Sequence, residues 1–89
     1  MKILKKAQAG SFESSDIIIL IEPSETKGRK LKIYSSVALQ YGDQIKRLIE
    51  KELDKFEIDD IHLIAKDKGA LDITIAARIE TALKRATQK

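Results

Sequence analysis

The stretch DIIILIEP, residues 16–23, decides the architecture of this chain. A continuous aliphatic run, rich in β-branched side chains, follows an aspartate and ends before a proline. Such a run is typical of a strand that is buried on both faces of a sheet. Directly before it, ESSD at residues 13–16 predicts a turn, because serine and aspartate side chains readily bond to their own backbone.

The segments on either side of this strand also favour β-structure. Residues 3–12 alternate only loosely and contain several small residues, which favours a thin edge strand or an extended arm. After a short loop, residues 29–36 alternate between apolar and polar side chains, and they predict a half-exposed strand that pairs back on the preceding one. The polar face of that strand carries Lys30, Lys32 and Tyr34.

The pattern then changes to a helical period. Ser35 or Ser36 is the predicted N-cap of this helix, because a serine hydroxyl can accept a hydrogen bond from the first free backbone N–H groups. Apolar residues recur on one face at spacings of three and four residues. They are Tyr41, Ile45, Leu48, Ile49, Leu53 and Phe56.

The last third of the chain contains one more strand and one more helix. IHLIA, residues 61–65, predicts the strand, and a second helix is expected to start between Ala70 and Ile73. The predicted order is β-β-β-α-β-α. This order indicates an α+β fold, in which a small, mostly antiparallel sheet of three to four strands carries two helices on one face.

Composition limits the classes of function. A length of 89 residues allows one small domain, residues 1–89. The absence of cysteine excludes a disulfide, a thiolate metal site and a thiol nucleophile supplied by the chain itself. The longest apolar run is far shorter than the roughly 20 residues of a membrane helix, and MKILKK lacks the apolar region of a signal peptide. A cytoplasmic protein without a membrane partner is therefore expected.

Two groups of polar residues suggest catalysis or metal binding and have simpler explanations. His62 alternates with apolar neighbours on a predicted strand, and we interpret it as a strand residue rather than as a catalytic base. Glu57, Asp59 and Asp60 could suggest a cation site, but a hard cation needs more oxygen ligands in a defined array. We interpret them as a solvated turn and expect no metal.

A basic run is the basis for an alternative function. Lys27, Arg29, Lys30 and Lys32 could contact phosphates, and the formal net charge of +3 allows an anionic partner. Apart from Tyr34, the run lacks aromatic neighbours on which bases could stack. A solvated face is the preferred interpretation, and a small basic module for RNA or another polyanion is the alternative. The exposed positions could also serve in docking to a protein.

Ser14 and Ser15 are the remaining candidates. A serine nucleophile needs a base for its proton and donors for an oxyanion, and the neighbouring Glu13 and Asp16 rarely supply that activation in hydrolysis. No catalytic residue is therefore expected. A serine in an exposed turn can instead be the substrate of another enzyme and accept a phosphate-linked group. Judged by spacing alone, most such serines are simply turn residues.

Three stretches resemble the citrate lyase acyl carrier proteins, the gamma subunits of citrate lyase. AGSFESSDIIILIEP, residues 9–23, is similar to the N-terminal part of that family, and LKIYSSVALQYGDQIKRLI, residues 31–49, to its second strand and first helix. DDIHLIAKDKGALDITIAARIETAL, residues 59–83, is similar to its closing block, in which DKGALD at residues 67–72 is the most distinctive piece. The resemblance covers nearly the whole chain.

The resemblance implies a covalent carrier and not an enzyme. In this family a serine in an ESxD segment holds a phosphoribosyl dephospho-coenzyme A group through a phosphodiester. Carried over by position, the acceptor is Ser14, which follows Glu13 and precedes Asp16 by two residues. The family often has glycine between the serine and the aspartate, where this chain has Ser15, so Ser15 is the runner-up. The group would supply the thiol that the chain lacks.

The implied partners are the alpha and beta subunits of citrate lyase, a transferase that forms the holo-carrier, and an acetate ligase; no nucleic acid is implied. The arm would first carry acetyl, which a transferase subunit exchanges for citrate with release of acetate. A lyase subunit would then cleave the citryl thioester to oxaloacetate and the acetyl thioester. The acyl carriers of fatty-acid synthesis are acidic helical bundles with a DSL motif, so the shared role would sit on a different fold. A purely structural subunit of some complex is the third hypothesis.

Overall fold

A computed structural model describes residues 1–35 and 38–88, with side chains described for residues 1–35 and 42–88. The elements of these ranges follow the predicted order β-β-β-α-β-α, which confirms it. They are β1 (Ala7–Gly10), β2 (Ile17–Glu22), β3 (Arg29–Ser35), α1 (Ala38–Lys55), β4 (Ile61–Asp67) and α2 (Asp72–Thr87).

The strands form a mixed sheet in the order β1-β2-β4-β3. β1 pairs with β2 and β2 with β4 in antiparallel fashion, whereas β3 and β4 are parallel. The predicted α+β class with a mostly antiparallel sheet is confirmed. The prediction that β3 pairs back on β2 is wrong, because β4 lies between them.

Burial explains why β4 is inserted. β2 and β4 carry the most apolar strand sequences, with residues such as Ile19 and Leu63 fully buried, and central positions bury them best. β3 is only half-buried and alternates with exposed lysines, as is typical of an edge strand. A parallel neighbour of β3 also requires a long crossover, and α1 supplies it.

Both helices cover the same face of the sheet. α2 lies against β1 and β2, and α1 lies against β3 and α2. The predicted apolar stripe of α1 is confirmed for Ile45, Ile49 and Leu53, which are buried, and for the partly buried Leu48 and Phe56. Burial of each large aliphatic side chain stabilises the fold by about 1.5–3 kcal/mol.

Two predictions about α1 concern residues outside the described part of the chain. The side chain of Tyr41, predicted to belong to the apolar stripe, is not among those described. The candidate N-cap Ser36 is also outside the described residues. The other candidate, Ser35, is the last residue of β3, and its hydroxyl donates to the Asp67 carboxylate at 2.9 Å.

α2 begins at Asp72, within the predicted interval. Asp72 lies in the first turn, where a negative charge suits the helix dipole, and it accepts a hydrogen bond of 2.6 Å from the Gln44 side chain. The buried stripe of the helix consists of Ile75, Ile79, Ala82, Leu83 and Ala86. In the part of the chain that the structure describes, no helix combines the length and the apolar character needed to cross a membrane.

Candidate functional site: the serine turn between β1 and β2

The serines lie in a tight turn at one end of the sheet. The Asp16 N–H donates to the Glu13 carbonyl at 3.2 Å, which closes a four-residue β-turn with Ser14 and Ser15 at its corners. Ser15 has a φ of 64°, in the left-handed region. A positive φ at the third position of a turn favours glycine, so this serine occupies a position that glycine would adopt more easily.

At Gly10, the last residue of β1, only glycine fits. Gly10 has a φ of +96°, and a Cβ built on it would lie 1.8 Å from the carbonyl oxygen of Ile17. The last residue of β1 therefore approaches the first residue of β2 so closely that no side chain fits between them. The regular pairing of β1 with β2 ends at Gly10, and the connection that contains the turn follows it.

The carboxylate of Asp16 anchors the turn. It accepts hydrogen bonds from the Ser11 hydroxyl at 2.6 Å, from the Ile17 N–H at 2.7 Å, and from the Arg78 guanidinium at 3.0 and 3.2 Å. These contacts, with the Ser11 hydroxyl as the largest contribution and Arg78 next, lower the pKa of Asp16 from 3.8 to about 2. The turn is thereby tied to α2 by a carboxylate that stays ionised at neutral pH.

The backbone of the turn is also tied to the loop after β4. The Ser15 N–H donates to the Lys68 carbonyl at 2.9 Å, and the Lys68 N–H donates to the Asp16 carbonyl at 2.9 Å. These two hydrogen bonds, in which Ser15 and Asp16 together face Lys68, lie directly beyond the last β2–β4 pair, Ile17 and Asp67. The base of the turn is therefore held from two sides.

The loop after β4, which is hydrogen-bonded to the turn, is also held in place by a buried carboxylate. Asp67 is 4% exposed, and it accepts hydrogen bonds from the Ser35 hydroxyl at 2.9 Å and the Ala70 N–H at 2.9 Å. It thus connects the ends of β3 and β4 to the segment that leads into α2. Sequence reasoning placed residues 67–72 in a distinctive motif, and the structure gives Asp67 this positioning role.

The tip of the turn is open. Ser14 and Ser15 are exposed, and neither hydroxyl has a hydrogen-bond partner among the described residues. The neighbouring Asp16 carboxylate is engaged by Arg78, and its low pKa makes it a poor proton acceptor for these hydroxyls. Such a hydroxyl suits the role of an acceptor on which another enzyme acts.

The other candidate residues lie elsewhere. His62 is half-buried and its Nδ1 lies 2.6 Å from the Glu22 carboxylate, near the end of β4 opposite to the serine turn. The predicted position of His62 on a strand is confirmed, and its ring is hydrogen-bonded to a neighbouring strand. Asp60 accepts a hydrogen bond from the Gly28 N–H at 2.7 Å, so this acid organises the loop before β3.

The basic run is divided between two sides of the sheet. Arg29 donates to the Ile58 carbonyl at 2.9 Å and to the Asp54 carboxylate at 2.8 Å, on the side of the helices. Lys30 and Lys32 are exposed on the opposite face. The four cations of the run therefore do not form one continuous stripe.

Sequence reasoning did not identify Arg78 or Lys68 as partners of the turn. Arg78 is 62 residues from Asp16, and no spacing rule connects the two positions.

Sequence reasoning also missed an apolar groove of about 570 Å³ beside the start of α2. The signal there is Leu71, an apolar residue out of phase with the buried stripe of α2 and 70% exposed.

These features describe a small α+β fold that presents an accessible serine on an anchored turn, an arrangement that suits a carrier protein. The family model described as malonate decarboxylase delta subunit, an acyl carrier family, matches residues 4–86. The citrate lyase acyl carrier protein of Treponema denticola is 46% identical over 89 residues, which cover 100% of both chains. That of Streptococcus mutans is 46% identical over 88 residues, 99% of this chain and 86% of the relative. The chain belongs to the family of citrate lyase acyl carrier proteins.

A solved structure has the same fold. A chain in the crystal structure of a Pseudomonas malonate decarboxylase hetero-tetramer in complex with malonate aligns with a TM-score of 0.77, over 97% of this chain and 88% of that one. The two sequences are 20% identical in this alignment, so the likeness concerns the fold alone.

Proposed function

We propose that this protein is the carrier subunit of a citrate lyase and that Ser14 holds a phosphoribosyl dephospho-coenzyme A arm through a phosphodiester. The observation that supports this most directly is the exposed, unengaged hydroxyl of Ser14 on an anchored turn, in a chain of the citrate lyase acyl carrier family. The chain contains no cysteine, so a thioester carrier needs an imported thiol, which the arm supplies when attached.

The conformation of the turn supports Ser14 over Ser15. Ser15 has a φ of 64°, and the family often has glycine at this position, as expected where the backbone is left-handed. A position that glycine can fill does not provide the acceptor hydroxyl. Ser14 is the serine that precedes this position, and its φ is not positive.

The residues around the turn would position the acceptor and take no part in bond making. The modifying transferase would remove the proton from the Ser14 hydroxyl, since the Asp16 carboxylate is a weak base held by Arg78. As the bond from the serine oxygen to phosphorus forms, the bond from that phosphorus to the leaving group of an activated phosphoanhydride donor would break, and the leaving group would depart as inorganic phosphate or diphosphate. A turn with a rigid base and an open tip keeps the root of the arm in one place. The arm would then sample nearby active sites at high effective concentration.

The proposed partners are those of a carrier within a lyase complex. We propose that the alpha and beta subunits use the acyl group in turn, first for exchange of acetyl with citrate and then for cleavage of the citryl thioester. The holo-carrier-forming transferase and the acetate ligase would prepare the arm. We place this cycle in the cytoplasm, and in it the carrier itself catalyses no step.

Intact-mass measurement tests the proposal. The protein is produced together with its modifying transferase, as the wild type and as the Ser14→Ala and Ser15→Ala variants, which differ only in the hydroxyl removed. We expect the mass of the arm on the wild type and on Ser15→Ala, and its absence from Ser14→Ala. An adduct that persists on Ser14→Ala and disappears from Ser15→Ala would move the site to Ser15, and no adduct on the wild type would refute the carrier role.

A further inference from the structure

Three exposed side chains form a row beside the serine turn, on the sheet face that neither helix covers. Lys66 on β4 is opposite Tyr34 on β3 in the parallel register, and neighbouring strands lie about 4.8 Å apart, so the two side chains are adjacent. The Lys66 Nζ also lies 5.8 Å from the centroid of the Phe12 ring. We call Phe12, Lys66 and Tyr34 the aromatic–lysine row.

The two rings of the row lie outside the hydrophobic core. Phe12 is 60% exposed and Tyr34 is 56% exposed, and neither belongs to the core. Lys66 has no ion-pair partner within residues 1–35 and 42–88, the part whose side chains are described. Lys32 lies on the same strand face as Tyr34, two residues away, and it likewise has no ion pair with these residues. These rings and ammonium groups are therefore available for contact with a ligand.

The side chains of the row are of the types that bind the base and the phosphates of a nucleoside diphosphate. Aromatic rings provide a platform for a planar base, and this contact is tolerant of the identity of the base. Lysine ammonium groups bind phosphate oxygens as mobile point charges. Here Phe12 lies beside the turn, Lys66 lies on β4, and Tyr34 and Lys32 lie on the same face of β3, so a base and its phosphates could be bound together.

We infer that the aromatic–lysine row binds the nucleotide part of the arm, with the base against the ring of Phe12 or Tyr34 and the phosphates against Lys66 and Lys32. This inference rests on the proposed attachment of that arm to Ser14. Phe12 precedes Ser14 by two residues, so the row lies beside the root of the arm. A covalently attached ligand has a millimolar effective concentration, at which individually weak contacts are sufficient.

The functional consequence is a shorter swinging segment. With the nucleotide docked on the sheet, only the thiol-bearing part of the arm moves between active sites. A docked root reduces the volume that the thiol explores and therefore raises its effective concentration at each partner.

Comparison of the unmodified and the modified protein by NMR tests this inference. The chain contains two phenylalanines, so the ring resonances of Phe56, at the end of α1, are an internal control for those of Phe12. We expect attachment of the arm to shift the ring resonances of Phe12 and Tyr34 and to leave Phe56 unchanged. The variant Lys66→Ala should reduce about fivefold the ratio of protein whose nucleotide is docked on the row to protein whose nucleotide is free. The control variant Lys46→Ala removes an exposed lysine from α1 and should not alter this ratio.

The outcomes are distinguishable. Intact mass first establishes that each variant carries the arm. A modified protein in which only residues 11–16 shift would overturn the inference and leave the carrier role intact, whereas the absence of any adduct on the wild type would overturn both. Saturation of the row in the unmodified protein by stoichiometric free ADP would assign it to a soluble nucleotide instead. Ring shifts that arise only on addition of the alpha or beta subunit would assign it to a protein partner and overturn the inference.

Discussion

The guanidinium of Arg78 donates two hydrogen bonds, of 3.0 and 3.2 Å, to the carboxylate of Asp16 and so joins α2 to the turn that carries Ser14. The Arg78 side chain is 43% exposed and that of Asp16 is 13% exposed, so water screens the pair only in part. The geometry of the turn thus depends on a residue at the other end of the chain.

Removal of this contact is expected to destabilise the protein modestly. For Arg78→Ala we expect a loss of about 1 kcal/mol in the free energy of unfolding, because charged hydrogen bonds stabilise more than surface ion pairs but this one is partly screened. Denaturant unfolding measures the loss. The matched variant Arg47→Ala removes an exposed arginine on α1 and should change the same quantity by less than about 0.5 kcal/mol. Equal effects of the two variants would show that the contact is not stabilising.

The low pKa of Asp16 predicts a decline of stability in acid. The pKa is lowered from 3.8 to about 2 in the folded protein, so the carboxylate contributes its full stabilisation above the unfolded value. That contribution is lost as the pH falls from about 4 to about 2. Unfolding measured over this interval should show a steeper decline for the wild type than for Asp16→Asn, which cannot titrate. Parallel declines of the two proteins would contradict the assignment, and Asp43→Asn, an exposed acid on α1, should behave as the wild type does.

The left-handed backbone at Ser15 predicts that glycine is better tolerated there than serine. Ser15→Gly should raise the free energy of unfolding by up to about 1 kcal/mol, because relief of the left-handed conformation exceeds the added freedom of the unfolded chain. Ser14→Gly should lower it by about 0.5 kcal/mol, because Ser14 has no such strain to relieve. Thermal or denaturant unfolding compares the pair. A loss of stability in Ser15→Gly would refute this account of the turn.

Replacement of glycine by alanine is expected to change the free energy of unfolding in opposite directions at two positions. Gly10→Ala should destabilise the protein by more than about 2 kcal/mol, since the new Cβ meets the Ile17 carbonyl oxygen and the φ of +96° is unfavourable. Gly42→Ala should stabilise it by about 0.5–1 kcal/mol, because Gly42 lies inside α1 and no atom of the described residues lies within 4 Å of the added Cβ. Both changes are read from unfolding curves. A neutral Gly10→Ala variant would show that β1 can shift away from β2 at no cost.

Much of the secondary structure is predictable from short stretches. The aliphatic run of Ile17–Glu22, the alternation of Arg29–Ser35 and the helical period of α1 each identify an element by its own pattern. The turn at Ser14 is also local, since polar residues that favour turns directly precede the strand. The resemblance of the chain to a known family rests on these same stretches.

The pairing of strands was not predictable in the same way. Alternation along β3 is compatible with β2 or with β4 as its neighbour, and adjacency in sequence favours the wrong one. The choice depends on which arrangement buries the apolar residues of β2 and β4 together, a sum over the whole molecule. The partners of the turn, Arg78 and Lys68, depend on the same arrangement, because it places α2 and the end of β4 beside Asp16.

By itself, the sequence determined the elements, the exposed serines and the absence of a thiol, since each is a property of neighbouring residues or of composition. Only the tertiary structure decided that Ser15 is left-handed, that Asp16 is ionised against Arg78, and that Phe12, Lys66 and Tyr34 share one face. The physical reason is that local periodicity is encoded within a few residues. Register and contacts between distant segments are decided by the collective burial of the core.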